Sequence, residues 1–414
     1  MDKRIKLDSF DKEYNDSLNK LYGDNTELRG LKWFLDTAHR WAYSRDENDV
    51  VILGTAVPEE LVMAAGAQPH WLIGGSLGSA QWSDELVPRD TDPVSRSISG
   101  YINRPGNDYK DSLLIIPLIS DSMRKIAYIL KSEGRKICIV DIPPDRNDKF
   151  AAQKYAKQMK DMCSAISAHT GVKVTKASIV SSMKIVSAAR AVLRDFLEVS
   201  RGRTDIITDS ARLFVQNSYY MTDSVEEWTY HVAELTREIG YYAAHSVRTR
   251  KSRPAVLLCG SPVLFPNYKI PFLVRDAGLE ILESVDHTAI KTQMIYNRKM
   301  LRGSRDRLIE TISAQWLKYD SSPSYIRNDN LYNNILAAVQ RGDIEGAVCH
   351  ILKGQIEYDF ELERIESMLS EYSIPVFRLE TDYQYQDVEQ LRIRMEAFSE
   401  MLVQSRVRRV KRVS

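Results

Sequence analysis

The sequence predicts an α/β protein with two parallel-sheet lobes, a helical N-terminal extension and a helical bridge. Its 414 residues exceed what one ordinary hydrophobic core holds, which favours two lobes. Short apolar runs, each followed by a loop and a helical pattern, fall into two groups with a long helical stretch between them. Continuous apolar runs of this length are typical of parallel strands that are buried on both faces.

The N-terminal half begins with a predicted helical extension, residues 1–48, in which Leu28, Leu31 and Leu35 recur at helical spacing. The predicted first lobe covers residues 49–150. After its first apolar run comes Pro58 with two acids, and proline and acids favour the start of a helix. The predicted strands of this lobe are residues 50–54, 112–117 and 136–141.

The C-terminal half contains the predicted bridge, residues 151–250, where apolar side chains follow helical spacing and no strand pattern occurs. The predicted second lobe covers residues 251–414. Helical stretches separate its strands, so a second parallel sheet is expected. The predicted strands of this lobe are residues 255–261, 280–283, 346–350 and 375–379.

Composition excludes several function classes. Lys and Arg total 57 against 56 Asp and Glu, so no overall field favours nucleic acid or an anionic membrane. The N-terminus has no apolar signal segment and no window approaches a membrane span, which predicts a cytoplasmic protein without membrane contact. The four cysteines are far apart in sequence, so their spacing predicts neither a disulfide framework nor a local zinc site. Each cysteine is expected to be a small buried residue.

The candidate ligand-binding residues follow predicted strands, because open α/β sheets bind ligands at the carboxyl ends of their strands. Ser261, between a glycine and a proline, favours either an anion-binding loop or a simple tight turn. His350 stands directly after an apolar run and is interpreted as a proton-transfer residue or a structural histidine. Tyr358 and Phe360 provide either an aromatic wall or ordinary packing. The basic tail, residues 406–412, is interpreted as a solvated terminus.

Three segments carry a family resemblance. Residues 57–69 read VPEELVMAAGAQP, and residues 113–121 read LLIIPLISD. Between residues 343 and 402 the elements DIEGAV, SIP, LETD and EQLRIRMEAFSEML follow in order. These segments resemble the D-component family of 2-hydroxyacyl-CoA dehydratases, which also contains benzoyl-CoA reductase subunits.

The resemblance implies two flavodoxin- or Rossmann-like lobes that hold a [4Fe-4S] cluster and a CoA thioester between them. It also implies a homo- or heterodimer and an ATP-dependent activator, and chemistry that removes water from a 2-hydroxyacyl-CoA through a ketyl radical. The family's cluster-ligand cysteines correspond here to Asp92, Ser120 and either Gly354 or Gln355. Since none of these residues supplies a thiolate, no cluster is expected on this chain.

We therefore predict a dehydratase-like subunit that binds an acyl-CoA or related acyl thioester in the cleft between the lobes. An enzyme of this kind would be a lyase. The alternative is a non-catalytic scaffold subunit of a heterodimer whose partner carries the metal. The sequence specifies neither the acyl group nor the partner. The predicted catalytic residues are Thr55 and His350, and the predicted substrate-binding residues are Glu60, Ser120, Asp121 and Ser261.

Overall fold

The structure of the chain is a computed structural model. It describes residues 3–43, 50–84, 86–105, 109–246 and 253–413, without the side chains of residues 3–8 and 407–413. The predicted boundaries at residues 48/49 and 250/251, and the side chains of most of the basic tail, therefore lie outside the described residues.

The N-terminal extension consists of helices α1 (Lys3–Gly23) and α2 (Leu31–Tyr43). Helix α2 buries Leu31, Phe34 and Ala38 on one face, as the spacing of its apolar residues predicts. The hydroxyl of Tyr14 on α1 donates to the carbonyl oxygen of Ala38 at 2.9 Å, which fixes the two helices against each other.

The first lobe is built on a four-stranded parallel sheet with strand order β2-β1-β3-β4. Strand β2 is missing from the sequence prediction, because a run that begins with proline and contains His70 and Trp71 has no strong apolar pattern. The strands are β1 (Val50–Leu53), β2 (Pro69–Leu72), β3 (Leu113–Pro117) and β4 (Ile137–Val140). The helices are α3 (Glu59–Ala64), α4 (Leu77–Ala80), α5 (Pro93–Asn103) and α6 (Asp121–Ser132).

The bridge is helical throughout residues 151–245 except for its connecting turns, as predicted. Helix α8 packs against α10 and also against α3 of the first lobe, so the bridge forms part of the core. The helices are α7 (Ala151–Thr170), α8 (Lys176–Ser200), α9 (Asp209–Asn217), a short 3-10 helix (Ser218–Met221) and α10 (Val225–His245).

The second lobe repeats the strand order of the first in a parallel sheet ordered β6-β5-β7-β8. The predicted fold class, two parallel α/β lobes with a helical extension and bridge, is confirmed. The strands are β5 (Ala255–Gly260), β6 (Glu280–Val285), β7 (Gly346–Leu352) and β8 (Val376–Thr381). The helices are α11 (Lys269–Asp276), α12 (Arg305–Tyr319), α13 (Asp329–Gln340), α14 (Ile356–Glu371) and α15 (Val388–Val413).

The two lobes meet closely where the loop after β2 contacts the loop after β5. The N–H of Asn267 donates to the carbonyl oxygen of Gly75 at 3.0 Å. A Cβ at Gly75 would lie 2.3 Å from the carbonyl oxygen of Phe265, so only glycine permits this approach. Among the described residues, no helix has the length and apolar character needed to cross a membrane.

Candidate functional site

Loops from both lobes enclose a cavity of about 320 Å³. It lies beyond the carboxyl ends of β1 and β3, where the strand order of the first sheet reverses, which is the usual ligand position in open α/β sheets. The first lobe contributes the polar side chains of Thr55, Asp92, Ser95, Ser120, Asp121 and Ser122. The second lobe contributes those of His287, Thr288, Gln355, Glu357 and Tyr358. Apolar walls come from Ile73, Val94, Ile98, Ile119, Ile356 and Phe360.

Helices α5, α6 and α14 all begin at the wall of this cavity. Asp92, Ser120 and Gln355 precede these helices in turn, and all three line the cavity. The N–H of Ser95 donates to Asp92 Oδ1 at 2.9 Å, and the N–H of Met123 donates to Ser120 Oγ at 3.2 Å. Because helix N-termini carry partial positive charge, three of them together favour an electron-rich oxygen in the cavity.

Carboxylates offset part of this positive potential. Asp92, Asp121 and Glu357 line the same cavity. Burial raises the pKa of Glu357, and the neighbouring Asp92 and Asp121 raise it further. A cavity that combines helix N-termini with several carboxyl groups suits a polar but uncharged ligand group, such as a carbonyl, better than a free anion.

Two residues of the cavity lining each hold a buried polar atom that has no hydrogen-bond partner among the described residues. The atoms are Thr55 Oγ1 and Gln355 Oε1. Thr55 is 4% exposed, and it lies in the loop after β1, at the wall of the cavity. A buried hydroxyl without a partner costs about 1–3 kcal/mol, and a ligand that accepts its hydrogen bond would remove that cost. The structure thus brings the predicted residues Thr55, Ser120 and Asp121 together at one cavity.

His287 is a cavity residue that the sequence analysis did not single out. It follows β6, and its Nδ1 makes a short hydrogen bond with the hydroxyl of Tyr358. Burial is the largest cause of the lowered pKa of His287. Residues 286–288 also follow a predicted strand, so the expectation that ligands bind at the carboxyl ends of strands applies to them as well. Tyr358 and Phe360 both line the cavity, as an aromatic wall requires.

His350 and Ser261 do not line the cavity. Strand β7 continues to Leu352, two residues beyond its predicted end, so His350 lies inside the sheet and not after it. Burial lowers the pKa of His350 to about 4, and the residue does not reach the cavity. Ser261 Oγ accepts from the N–H of Leu352 at 2.9 Å, which is the structural role of a strand-to-loop turn.

Glu60 also lies away from the cavity, in a buried ion-pair network that we call the carboxylate–arginine centre (Glu59, Glu60 and Arg190). Arg190 lies 2.8 Å from an oxygen of each glutamate. Glu60 also accepts from the hydroxyl of Tyr296 and from the indole N–H of Trp316. The acidic pair of the VPEE segment therefore joins α3 to the bridge helix α8 and to the second lobe.

The positions that correspond to the family's cluster ligands meet at the cavity. Asp92, Ser120, Gly354 and Gln355 all line it, and a Cβ at Gly354 would lie 3.3 Å from Asp92 Cα. Their side chains supply a carboxylate, a hydroxyl and an amide, whereas iron–sulfur clusters require thiolates. Across the described residues, no group of three or more His, Cys, Asp or Glu side chains is arranged to hold a metal ion. The donor set does not fit a [4Fe-4S] cluster.

The cysteines lie elsewhere in the fold. Cys138 is on the edge strand β4 and Cys163 on α7, whereas Cys259 and Cys349 are paired in register on β5 and β7. The sulfur atoms of Cys259 and Cys349 are 3.2 Å apart and buried. None of the four thiols lines the cavity, so none replaces the missing ligands there.

Comparisons with known proteins cover most of the chain. The family model for the 2-hydroxyglutaryl-CoA dehydratase D-component matches residues 55–402. The chain is 20% identical over 362 residues to YjiM of Escherichia coli (strain K12), a candidate dehydratase subunit, covering 86% of this chain and 92% of that protein. It is 21% identical over 350 residues to the (R)-phenyllactyl-CoA dehydratase beta subunit of Clostridium sporogenes, covering 83% and 89% respectively. The matched segment contains every residue of the cavity lining except Gly54.

Proposed function

The chain belongs to the 2-hydroxyglutaryl-CoA dehydratase D-component family, and on that premise we propose that it binds an acyl-CoA or related acyl thioester in the cavity between its lobes. We propose further that it does so without a [4Fe-4S] cluster of its own. The observation that carries the proposal is that Thr55, a residue of the lining of a cavity where three helices begin, holds a buried hydroxyl without a partner among the described residues.

The residues around Thr55 suit the carbonyl end of a thioester. The Thr55 hydroxyl would donate to the carbonyl oxygen, and the N-termini of α5 and α6 would stabilise negative charge that develops on it. Thr55 holds no other partner that it would have to give up. A relative named for its action on (R)-phenyllactyl-CoA supports a thioester as the ligand class.

The size of the cavity limits which part of the ligand it encloses. At about 320 Å³ it is near the lower end of known small-molecule sites, roughly 300–1,000 Å³. Its apolar wall, which includes Ile98, Ile119 and Phe360, suits a short acyl chain. The acyl group and the thioester would lie inside, and the nucleotide part of coenzyme A would remain outside.

The test of thioester binding is calorimetric titration of the full chain with acyl-CoA thioesters of increasing chain length, with free coenzyme A as the control. We expect acyl-CoA to bind more tightly than coenzyme A alone, because only the thioester presents a carbonyl to Thr55. Equal affinity for coenzyme A and for every thioester would contradict the proposal.

The test of the missing cluster is anaerobic reconstitution with iron and sulfide. We expect no stoichiometric [4Fe-4S] cluster on the natural chain, because its cavity supplies no thiolate. The matched control is the triple variant Asp92→Cys, Ser120→Cys, Gln355→Cys, which should gain iron and a broad visible absorbance. Gln355 is preferred to Gly354 because Gly354 has a φ of 85°, where a side chain is strained. A cluster on the natural chain would refute this part of the proposal.

The second candidate function is a non-catalytic scaffold subunit that completes a heterodimer whose partner carries the metal. The oxygen ligands at Asp92 and Ser120 favour it, because the family's redox chemistry then needs a cluster from elsewhere. Dehydration assays with a related subunit and an ATP-dependent activator, with and without this chain, distinguish the two candidates. Thr55→Val lowers turnover if the cavity binds substrate and leaves it unchanged if the chain is only a scaffold.

A further inference from the structure

Cys259 and Cys349 lie side by side in the second sheet, although 90 positions separate them in the chain. They are paired in register on β5 and β7, the two central strands, so their side chains lie on the same face of the sheet. Their sulfur atoms are 3.2 Å apart. Among the described residues, this is the only pair of cysteines whose thiols are in hydrogen-bond contact.

The backbone of this pair is compatible with a disulfide. Neighbouring strands lie about 4.7–4.9 Å apart, which is within the roughly 4.4–6.8 Å that separates the Cα atoms of bridged cysteines. A disulfide bond is about 2 Å long, so the two sulfur atoms need to approach each other by only about 1.2 Å. The fold therefore accommodates either two thiols or one disulfide at this position.

Burial determines when the pair is able to react. Cys259 is 2% exposed and Cys349 is 0% exposed, and both belong to the apolar core of the second lobe. The hydrogen bond with Cys259, followed by burial, raises the pKa of Cys349 well above its usual value. In the folded chain the sulfur of Cys349 is therefore protonated as well as inaccessible, whereas thiol–disulfide exchange requires an accessible thiolate. In the unfolded chain both cysteines are accessible and have their ordinary thiolate fraction.

We propose that Cys259 and Cys349 form a disulfide when the chain folds in the presence of a small disulfide, such as oxidised glutathione. We propose further that the folded lobe then preserves the oxidation state in which it folded. Because folding places the two cysteines on adjacent strands, closure of the bridge becomes an intramolecular reaction. This inference does not depend on what the cavity binds.

The reaction is balanced by two successive exchanges. The thiolate of one cysteine attacks the small disulfide, forms a mixed disulfide and releases one small thiol. The thiolate of the other cysteine then attacks the protein sulfur of the mixed disulfide, closes the bridge and releases a second small thiol. The two protein thiols thus lose two electrons and two protons, and the small disulfide gains them.

The experiment compares folding chains with chains that are already folded, in one mixture of oxidised and reduced glutathione. The full reduced chain is either refolded from denaturant in this mixture or folded first and then exposed to it. Both samples are denatured in acid, alkylated and mapped by mass spectrometry. We expect a bridge between Cys259 and Cys349 in most refolded chains and in roughly tenfold fewer of the chains that were already folded. If the chain does not refold, cell-free synthesis in the same mixture provides the folding sample.

The reverse reaction provides a second readout. A folded, bridged chain should keep its disulfide in excess reduced glutathione and lose it when denaturant is added. Cys349→Ala should form no internal bridge at Cys259. The matched control is Cys163→Ala, because Cys163 is also buried but lies on α7, outside the pair; it should form the bridge as the natural chain does.

Two results would overturn the inference, and both are read on the natural chain, so they do not require the variants to fold. Free thiols at Cys259 and Cys349 after folding with oxidised glutathione, or a bridge between other cysteines, would refute the assigned disulfide. Equal bridging of folding and folded chains would refute the claim that burial preserves the oxidation state.

Discussion

Two polar regions begin a few residues apart after β1 and differ in how their hydrogen bonds are completed. In the carboxylate–arginine centre, Glu59 and Glu60 both pair with Arg190 and also accept from aromatic side chains. In the cavity, the Thr55 hydroxyl is equally buried and has no partner. Both regions contain polar groups removed from water. The first pairs each of its charged side chains within the protein, although Arg190 Nε has no partner, whereas the Thr55 side chain has no hydrogen bond among the described residues.

The difference distinguishes buried polar groups that stabilise the fold from buried polar groups that are available to a ligand. A buried ion pair often stabilises a protein no more than apolar residues of the same size would. Removal of one partner is nevertheless strongly destabilising, because it leaves the other charges buried without compensation. A buried unpartnered hydroxyl lowers stability and gains its partner only from a ligand. We therefore expect mutations at Glu59, Glu60 and Arg190 to change folding, and mutations at Thr55 to change binding.

The largest expected effect follows removal of the cation from the carboxylate–arginine centre. Arg190→Met should lower the free energy of unfolding by about 3–5 kcal/mol, because it leaves two buried carboxyl groups facing each other. Denaturant unfolding measures the change. The control is Arg194→Met on the same helix, where the arginine is exposed and pairs with the exposed Asp195. This variant should unfold close to the natural chain. Equal unfolding midpoints for both variants would break the comparison.

A smaller effect concerns pH. Burial, followed by repulsion from Glu60, raises the pKa of Glu59 from 4.5 to about 7 in the folded state. The folded state thus holds this proton more tightly than the unfolded state. The contribution of protonated Glu59 to the free energy of unfolding is therefore fully present below about pH 4.5 and is lost as pH rises towards about 7. The natural chain should lose stability relative to Glu59→Gln over that range. Unfolding at several pH values tests this, and a constant difference between the two proteins would contradict it.

The smallest effect on stability is expected at the cavity. Thr55→Val should raise the free energy of unfolding by up to about 1–3 kcal/mol, because it removes a buried hydroxyl that bonds to nothing, yet weaken acyl-CoA binding roughly two- to tenfold. Thr37→Val is the matched control, since the buried Thr37 hydroxyl accepts from Arg40 at 2.9 Å far from the cavity. It should lose stability and keep its affinity. The opposite pattern would show that the distinction between the two regions is false.

The sequence predicts most of the fold because parallel strands that are buried on both faces consist of continuous runs of apolar residues. Seven of the eight strands in the described part of the chain lie where such runs occur, and the exception, Pro69–Leu72, contains a proline and a histidine. Strand ends are less clear, because Ile351 and Leu352 continue β7 past His350. That extension moves His350 from the expected cavity edge into the sheet.

Prediction of the cavity was uneven for a physical reason. Family motifs locate Asp92, Ser120 and Gln355, because sequence order fixes which loops follow which strands. The role of Glu60 depends on Arg190, which is distant in the chain and carries no motif of its own. His287 likewise makes its hydrogen bond to Tyr358, a residue of helix α14 that is distant in the chain. Pairings between distant segments are the part that pattern alone does not reveal.

The helix caps at Asp92 and Ser120 have a consequence for how the protein is made in the cell. Aspartate and serine are among the best N-cap residues, and each satisfies a backbone N–H at the start of its helix from within the chain. A chain whose cleft is completed by its own side chains requires no inserted metal to finish that part of its fold. Under the proposed function, its production is then independent of iron supply and of cluster-assembly machinery, and air exposure has no cofactor to destroy.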